Sequence, residues 1–78
     1  MPTVLRIGSY RFHLYANDRR EPPHVHMERG DATAKFWLNP VRFQRGRGFG
    51  RRETNRLQDM VEAHHERLLR SWNEYFKD

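Results

Sequence analysis

His24-Val25-His26-Met27-Glu28-Arg29-Gly30-Asp31-Ala32-Thr33-Ala34-Lys35-Phe36-Trp37-Leu38 is the stretch that decides the fold. Polar and apolar side chains alternate on both sides of Arg29-Gly30-Asp31, the pattern of two strands joined by a tight turn, each burying one face. Val25, Met27, Ala32, Ala34, Phe36 and Leu38 form the apolar halves; His24, His26, Glu28, Thr33, Lys35 and Trp37 form the polar ones. Asn39-Pro40 closes the second strand, because proline cannot donate to a ladder, and Val41 and Phe43 predict a short fifth strand. Upstream, Thr3–Ile7 and Tyr10–Tyr15 read as a hairpin turning at Gly8-Ser9. Tyr10, Phe12 and Leu14 share one face there, and Arg11, His13 and Tyr15 the other. The polar run Asn17 to Pro23, ending in two prolines, predicts an exposed loop.

Downstream, Gln44 to Gly50 carries three Gly and two Arg, which predicts a flexible loop. From about Arg51, Leu57, Met60, Val61, His64, Leu68, Trp72 and Tyr75 recur at spacings of three and four, tracing one stripe on a long helix. The expected fold class is α+β, a single domain spanning residues 1–78. It comprises a four- to five-stranded, mainly antiparallel sheet over about 3–45, a Gly/Arg loop over about 44–50, and one long C-terminal helix over about 51–76. The helix packs on one sheet face and leaves the other open. With 78 residues the chain holds one thin core.

No apolar run approaches the roughly 18 residues of a membrane span. The start Met1-Pro2-Thr3-Val4-Leu5-Arg6 lacks a basic-then-apolar leader, and cysteine is absent, so a cytoplasmic protein is expected. Net charge is +5, and thirteen of the fifteen cations are Arg, whose planar fork suits phosphate or carboxylate. That balance fits a nucleic-acid binder or a protein with an acidic partner, although a solvated Arg-rich surface yields the same count.

If the apolar halves face the helix, the open face gathers Arg11, His13, Tyr15, His24, His26, Glu28, Thr33, Lys35 and Trp37. His24 and His26 then lie about 6–7 Å apart on one side of a strand. Three readings compete for them. They are metal ligands, with His13 or Glu28 as a third; or a general acid and base that move protons between a ribose 2′-OH and the leaving 5′-oxygen; or ordinary exposed strand residues. In the second reading Arg11 and Lys35 hold the phosphate. Between Arg42 and Arg56 six Arg face only Glu53, a local charge of +5 that makes Arg42, Arg45, Arg47, Arg51 and Arg52 candidates for a nucleic-acid backbone. Against this stands a mobile solvated loop. Phe49 is available to stack on a base, and Trp37, if exposed, marks a binding surface. His64 reads as a core or boundary histidine and His65 as solvated. Asp18 reads first as a turn cap and second as a group orienting His24.

With these residues in view, the chain resembles a family of small bacterial and archaeal proteins, the domain-of-unknown-function family 4160 (DUF4160). The resemblance is carried by Pro2-Thr3, Phe12 to Tyr15, Asp18, the segment Pro22-Pro23-His24-Val25-His26 with Gly30 after it, Ala34 to Val41, Gly48-Phe49 and the ending Leu68 to Phe76. Unlike many members, this chain has Thr54-Asn55-Arg56 where a hydrophobic residue stands early in the helix. The resemblance implies a two-gene neighbourhood with a DUF2442-like protein, a layout similar to a toxin–antitoxin module. The expected function is therefore the toxin of such a pair, acting as a metal-independent ribonuclease. His24 and His26 form its acid/base pair, Arg11, Lys35, Arg42, Arg45, Arg47, Arg51 and Arg52 its phosphate contacts, and His13, Tyr15, Glu28 and Trp37 its second-line residues. No cofactor is expected; the expected partners are RNA, a DUF2442-like antitoxin and a second copy of the chain, with no membrane. The alternatives are a non-catalytic nucleic-acid- or protein-binding module and a small His-ligated metal hydrolase.

Overall fold

A computed structural model describes residues 3–77. Five strands, β1 (Thr3–Ile7), β2 (Tyr10–His13), β3 (His24–Arg29), β4 (Ala32–Leu38) and β5 (Val41–Arg47), are followed by helices α1 (Arg51–Ala63) and α2 (His65–Tyr75). A 3-10 turn at Ala16–Arg20 separates β2 from β3. The strands lie in the order β1-β2-β3-β4-β5, each antiparallel to its neighbours. The fold is therefore α+β, and both helices contribute to one core. Gly30, at φ 57°, takes the left-handed position in the turn between β3 and β4.

The apolar halves pack as their alternation demands. Phe12, Leu14, Val25, Met27, Ala34, Phe36 and Leu38 are buried with Leu57 and Val61 of α1 and Leu68 and Trp72 of α2. Each fully buried Leu, Val or Phe side chain contributes on the order of 1.5–3 kcal/mol. A second contact staples α1 to the sheet. The Tyr10 hydroxyl donates to Glu53 Oε2 at 2.5 Å, Arg29 pairs with the same carboxylate, and the Arg29 guanidinium lies 5.2 Å from the Phe49 ring centroid. Phe49 thus serves this packing.

Three expectations are corrected. The C-terminal helix is two helices: at His64 the ring Nδ1 donates to the Met60 carbonyl at 2.9 Å, and the backbone relaxes to φ −112°, ψ 18°. The His64 amide is shared there between the Met60 and Val61 carbonyls, both at 3.2 Å, as the helix loosens. Helical bonding resumes at once, from the Leu68 amide to the His64 carbonyl. Gln44 to Arg47 belongs to β5 and not to a loop, held by pairing of Arg45 with Lys35, Gly46 with Ala34 and Arg47 with Thr33. The Asn17–Pro23 segment is only partly exposed, because the 3-10 turn carries a buried Asp18.

Candidate functional site

Cross-strand register arranges the polar halves into three rows, since directly opposed residues of antiparallel strands share a face. One row runs His13, His26, Lys35, Arg45; a second runs Arg11, Glu28, Thr33, Arg47; a third runs His24, Trp37, Arg42. The third row depends on an irregularity. The register between β4 and β5 shifts by one residue between Lys35 and Phe36, so Gln44 has no direct partner. This β-bulge turns Arg42 to the same side as Arg45 and Arg47, where strict alternation would set them on opposite sides.

The segment between β2 and β3 folds over one end of this face, and it decides which groups meet solvent. Asp18 Oδ2 accepts the Tyr15 amide at 2.8 Å. The carboxylate also faces two imidazoles: His26 Nε2 lies 3.1 Å from Oδ2, and His24 Nε2 lies 3.1 Å from Oδ1. Burial pulls the Asp18 carboxyl upward, but the hydrogen bond from the Tyr15 amide and the two facing imidazoles outweigh it, and the net shift is downward. His26 is shifted down, chiefly by burial and against the pull of Asp18. His13 is also shifted down, by burial first and by the Arg11 and His26 charges second.

His24 is 0% exposed. Its Nδ1 is held at 2.9 Å by the Pro22 carbonyl, and its ring packs between Trp37 and Trp72, with centroids at 5.6 and 5.0 Å. A ring so enclosed does not meet solvent, so of the expected acid/base pair of His24 and His26 only one imidazole is accessible. That imidazole is His26, whose side chain is 15% exposed, with its ring 4.6 Å from Tyr15 and 5.6 Å from His13. His13 is itself buried, with Nε2 3.2 Å from the Tyr15 hydroxyl.

The expected phosphate contacts divide in two. Arg11 is committed to Glu28 and to Thr3 Oγ1. Lys35 is buried, with Nζ 2.5 Å from Glu21 Oε1 and 4.9 Å from the Trp37 ring centroid. Both charges are already matched, which corrects their assignment as free phosphate donors. Arg45 and Arg47 are exposed and pair with no acidic group among the described residues. They line a cleft of about 340 Å³ together with His13, Tyr15, His26, Glu28, Thr33 and Lys35. Arg42 lies beside Trp37 in the neighbouring row, whereas Arg51 and Arg52 open α1 and do not line the cleft. Trp37 is half-buried and Tyr15 exposed.

The family described as "Domain of unknown function (DUF4160)" matches residues 9–73. The chain belongs to the DUF4160 family. The matched span includes all the cleft residues and Asp18, so the arrangement lies within the DUF4160 domain. Pro2, which contributed to the sequence resemblance, lies outside both the match and the described residues. No curated protein and no solved structure matches this DUF4160 chain.

The sequence offers Asp18 as a turn cap or a group orienting His24 but not as a carboxylate shared with His26, and it gives no sign of Glu21 as the partner of Lys35. A signal for Asp18 existed. A short-range acidic residue before a rigid Pro22-Pro23 and a strand opening His-x-His can fold back onto the strand it precedes. Among the described residues, Asp18, His24 and His26 form the group whose ligand atoms converge, all within 4.8 Å of one another. No helix among these residues is long and apolar enough to cross a membrane.

Proposed function

We propose that the open sheet face is a phosphodiester-cleaving site for RNA and that the chain is the toxin of a two-gene toxin–antitoxin pair. One observation carries the reading: the accessible imidazole, His26, shares a cleft with Arg45 and Arg47, two guanidinium groups that no described carboxylate neutralises. A phosphate bridging these Arg would lie between them and the Asp18–His26 end. There the His26 imidazole takes the proton of the ribose 2′-OH as the 2′ oxygen attacks phosphorus. The P–O5′ bond breaks, and His26 returns that proton to the leaving 5′-oxygen. Arg45 and Arg47 offset the charge developing on the phosphoryl oxygens. Trp37, beside Arg42, offers a ring face to a neighbouring base.

The reading is tested by inducing this chain alone in a bacterial host, beside a His26→Gln variant, with total RNA run on a gel. Growth arrest with degraded RNA in the wild type, and neither in the variant, is the expected result. Normal growth with intact RNA in both would overturn it. A second reading, a binding module without catalysis, draws on the exposure of the Arg-bearing β5 edge together with the burial of His24. It predicts RNA or acidic-protein binding that persists in the His26→Gln variant.

A further inference from the structure

We infer that Asp18, His24 and His26 form a binding site for a divalent transition-metal ion of the zinc class. A backbone carbonyl fixes the tautomer of His24. Its Nδ1 is 2.9 Å from the Pro22 carbonyl oxygen, which can only accept, so Nδ1 carries the hydrogen. In the neutral ring Nε2 is then a bare lone pair. That nitrogen is fully buried and makes no hydrogen bond, yet it sits 3.1 Å from the Asp18 carboxylate. Two electron-rich atoms facing one another in a buried site repel unless a proton or a metal ion lies between them, and the convergence of a third ligand atom, from His26, favours the ion.

The rest of the geometry fits an ion. Metal–nitrogen and metal–oxygen bonds of roughly 2.0–2.2 Å bring ligands of one tetrahedral ion to about 3.3–3.6 Å of each other. Both imidazole nitrogens lie near the one carboxylate oxygen Oδ1, at 3.1 and 3.2 Å, and all three ligand atoms lie within 4.8 Å of one another, so a small side-chain closure brings them onto one ion. A metal-bound histidine donates its other ring N–H to a backbone carbonyl or carboxylate, which fixes the ring and the tautomer. His24 does this through Pro22, and the pair Pro22-Pro23 sets the carbonyl rigidly before the strand. The Trp37 and Trp72 rings exclude water from His24 on either side. Two imidazoles and one carboxylate leave at least one coordination position for water or substrate, the ligand count of catalytic zinc.

This inference deepens the ribonuclease reading but can stand without it. In a cleft that cleaves RNA, an ion held by the trio would supply a bound water of lowered pKa, which would take over from the ligated His26 both the removal of the 2′ proton and its return to the leaving 5′-oxygen.

The test uses the full chain stripped with a chelator, dialysed, and titrated with zinc chloride in a calorimeter, with circular dichroism and the thermal midpoint followed alongside. One zinc per chain and a zinc-dependent rise in the midpoint are expected. Asp18→Asn and His26→Gln should each weaken zinc by more than the roughly 10–100-fold that altering an outer-shell partner costs. His26 is partly exposed, so its Gln variant gives a folded comparison if Asp18→Asn fails to fold. A folded wild type that takes up no zinc, or a His26→Gln variant that binds it equally, overturns the metal site. The double variant Arg45→Ala/Arg47→Ala should keep its zinc and lose RNA cleavage. Zinc bound without RNA cleavage in the wild type upholds the metal site and refutes the ribonuclease reading instead.

Discussion

Replacing Arg45 and Arg47 by Ala isolates the electrostatic part of the account. Both side chains are exposed and make no ion pair among the described residues, so their loss leaves the core and the Asp18 cluster intact. Each phosphate neutralised on a single strand contributes about 0.7 to the slope of log affinity against log salt. If Arg42, Arg45 and Arg47 each meet one phosphate, the wild-type slope from this face is about −2.1, and the double variant retains about −0.7. Raising salt from about 50 to 200 mM should then weaken wild-type binding about 20-fold and variant binding about threefold from these contacts. Phosphates met elsewhere, for instance by Arg51 and Arg52, add equally to both proteins and leave the difference of about 1.4 unchanged. Fluorescence anisotropy with a labelled 2′-O-methyl oligonucleotide, which cannot be cleaved through its 2′ oxygen, measures the slopes. Equal slopes for the two proteins would refute the claim that the cleft holds the backbone.

Three further outcomes test the fold that positions the site. Phe36→Ala empties a fully buried position against both helices and should cost about 3–5 kcal/mol, read as a lower urea midpoint at constant slope. Gly48→Ala should destabilise by about 1–3 kcal/mol by the same measurement, since φ is 90° there and a Cβ would stand 2.9 Å from Ala32 Cβ. Glu53 is held below the ordinary carboxyl range by the Tyr10 hydroxyl first and by Arg29 second, against the opposing effect of burial. A lowered folded value stabilises the protein above the unfolded carboxyl pKa of about 4.5 and loses that contribution as pH falls through the folded value. Glu53→Gln should therefore lower the thermal midpoint at pH 7, with the gap to wild type closing on acidification below about pH 4.5; a gap independent of pH would contradict the staple.

The strands were legible because each buries one face and so writes its own period of two. Phe12, Val25, Met27, Ala34 and Phe36 lie where alternation sends them. The helix break was not legible, since Leu57, Val61, Leu68 and Trp72 keep one continuous stripe through it. The break is a change of φ and ψ at His64 alone, with its ring bonded to the Met60 carbonyl, and neither leaves a mark in hydrophobic periodicity. The bulge at Gln44 hid the common facing of Arg42, Arg45 and Arg47 for a related reason: Gly46 and the Arg residues look like a loop, and an inserted residue reverses parity locally. At the site, alternation correctly gathered His13, His26, Lys35 and Trp37 on one face. It could not show that the 3-10 turn folds over that face, buries His24 and engages Lys35 with Glu21, because those contacts join segments whose spacing carries no period.

Cleavage of a defined RNA by the purified chain in zinc-containing buffer tests the central claim most directly, with a DNA of the same sequence and the His26→Gln variant run beside it. The account predicts RNA products ending in a 2′,3′-cyclic phosphate, untouched DNA because it lacks the attacking hydroxyl, and a rate reduced at least about 100-fold in His26→Gln. No cleavage by the folded wild type, equal cleavage of DNA, or undiminished cleavage by the variant would contradict it.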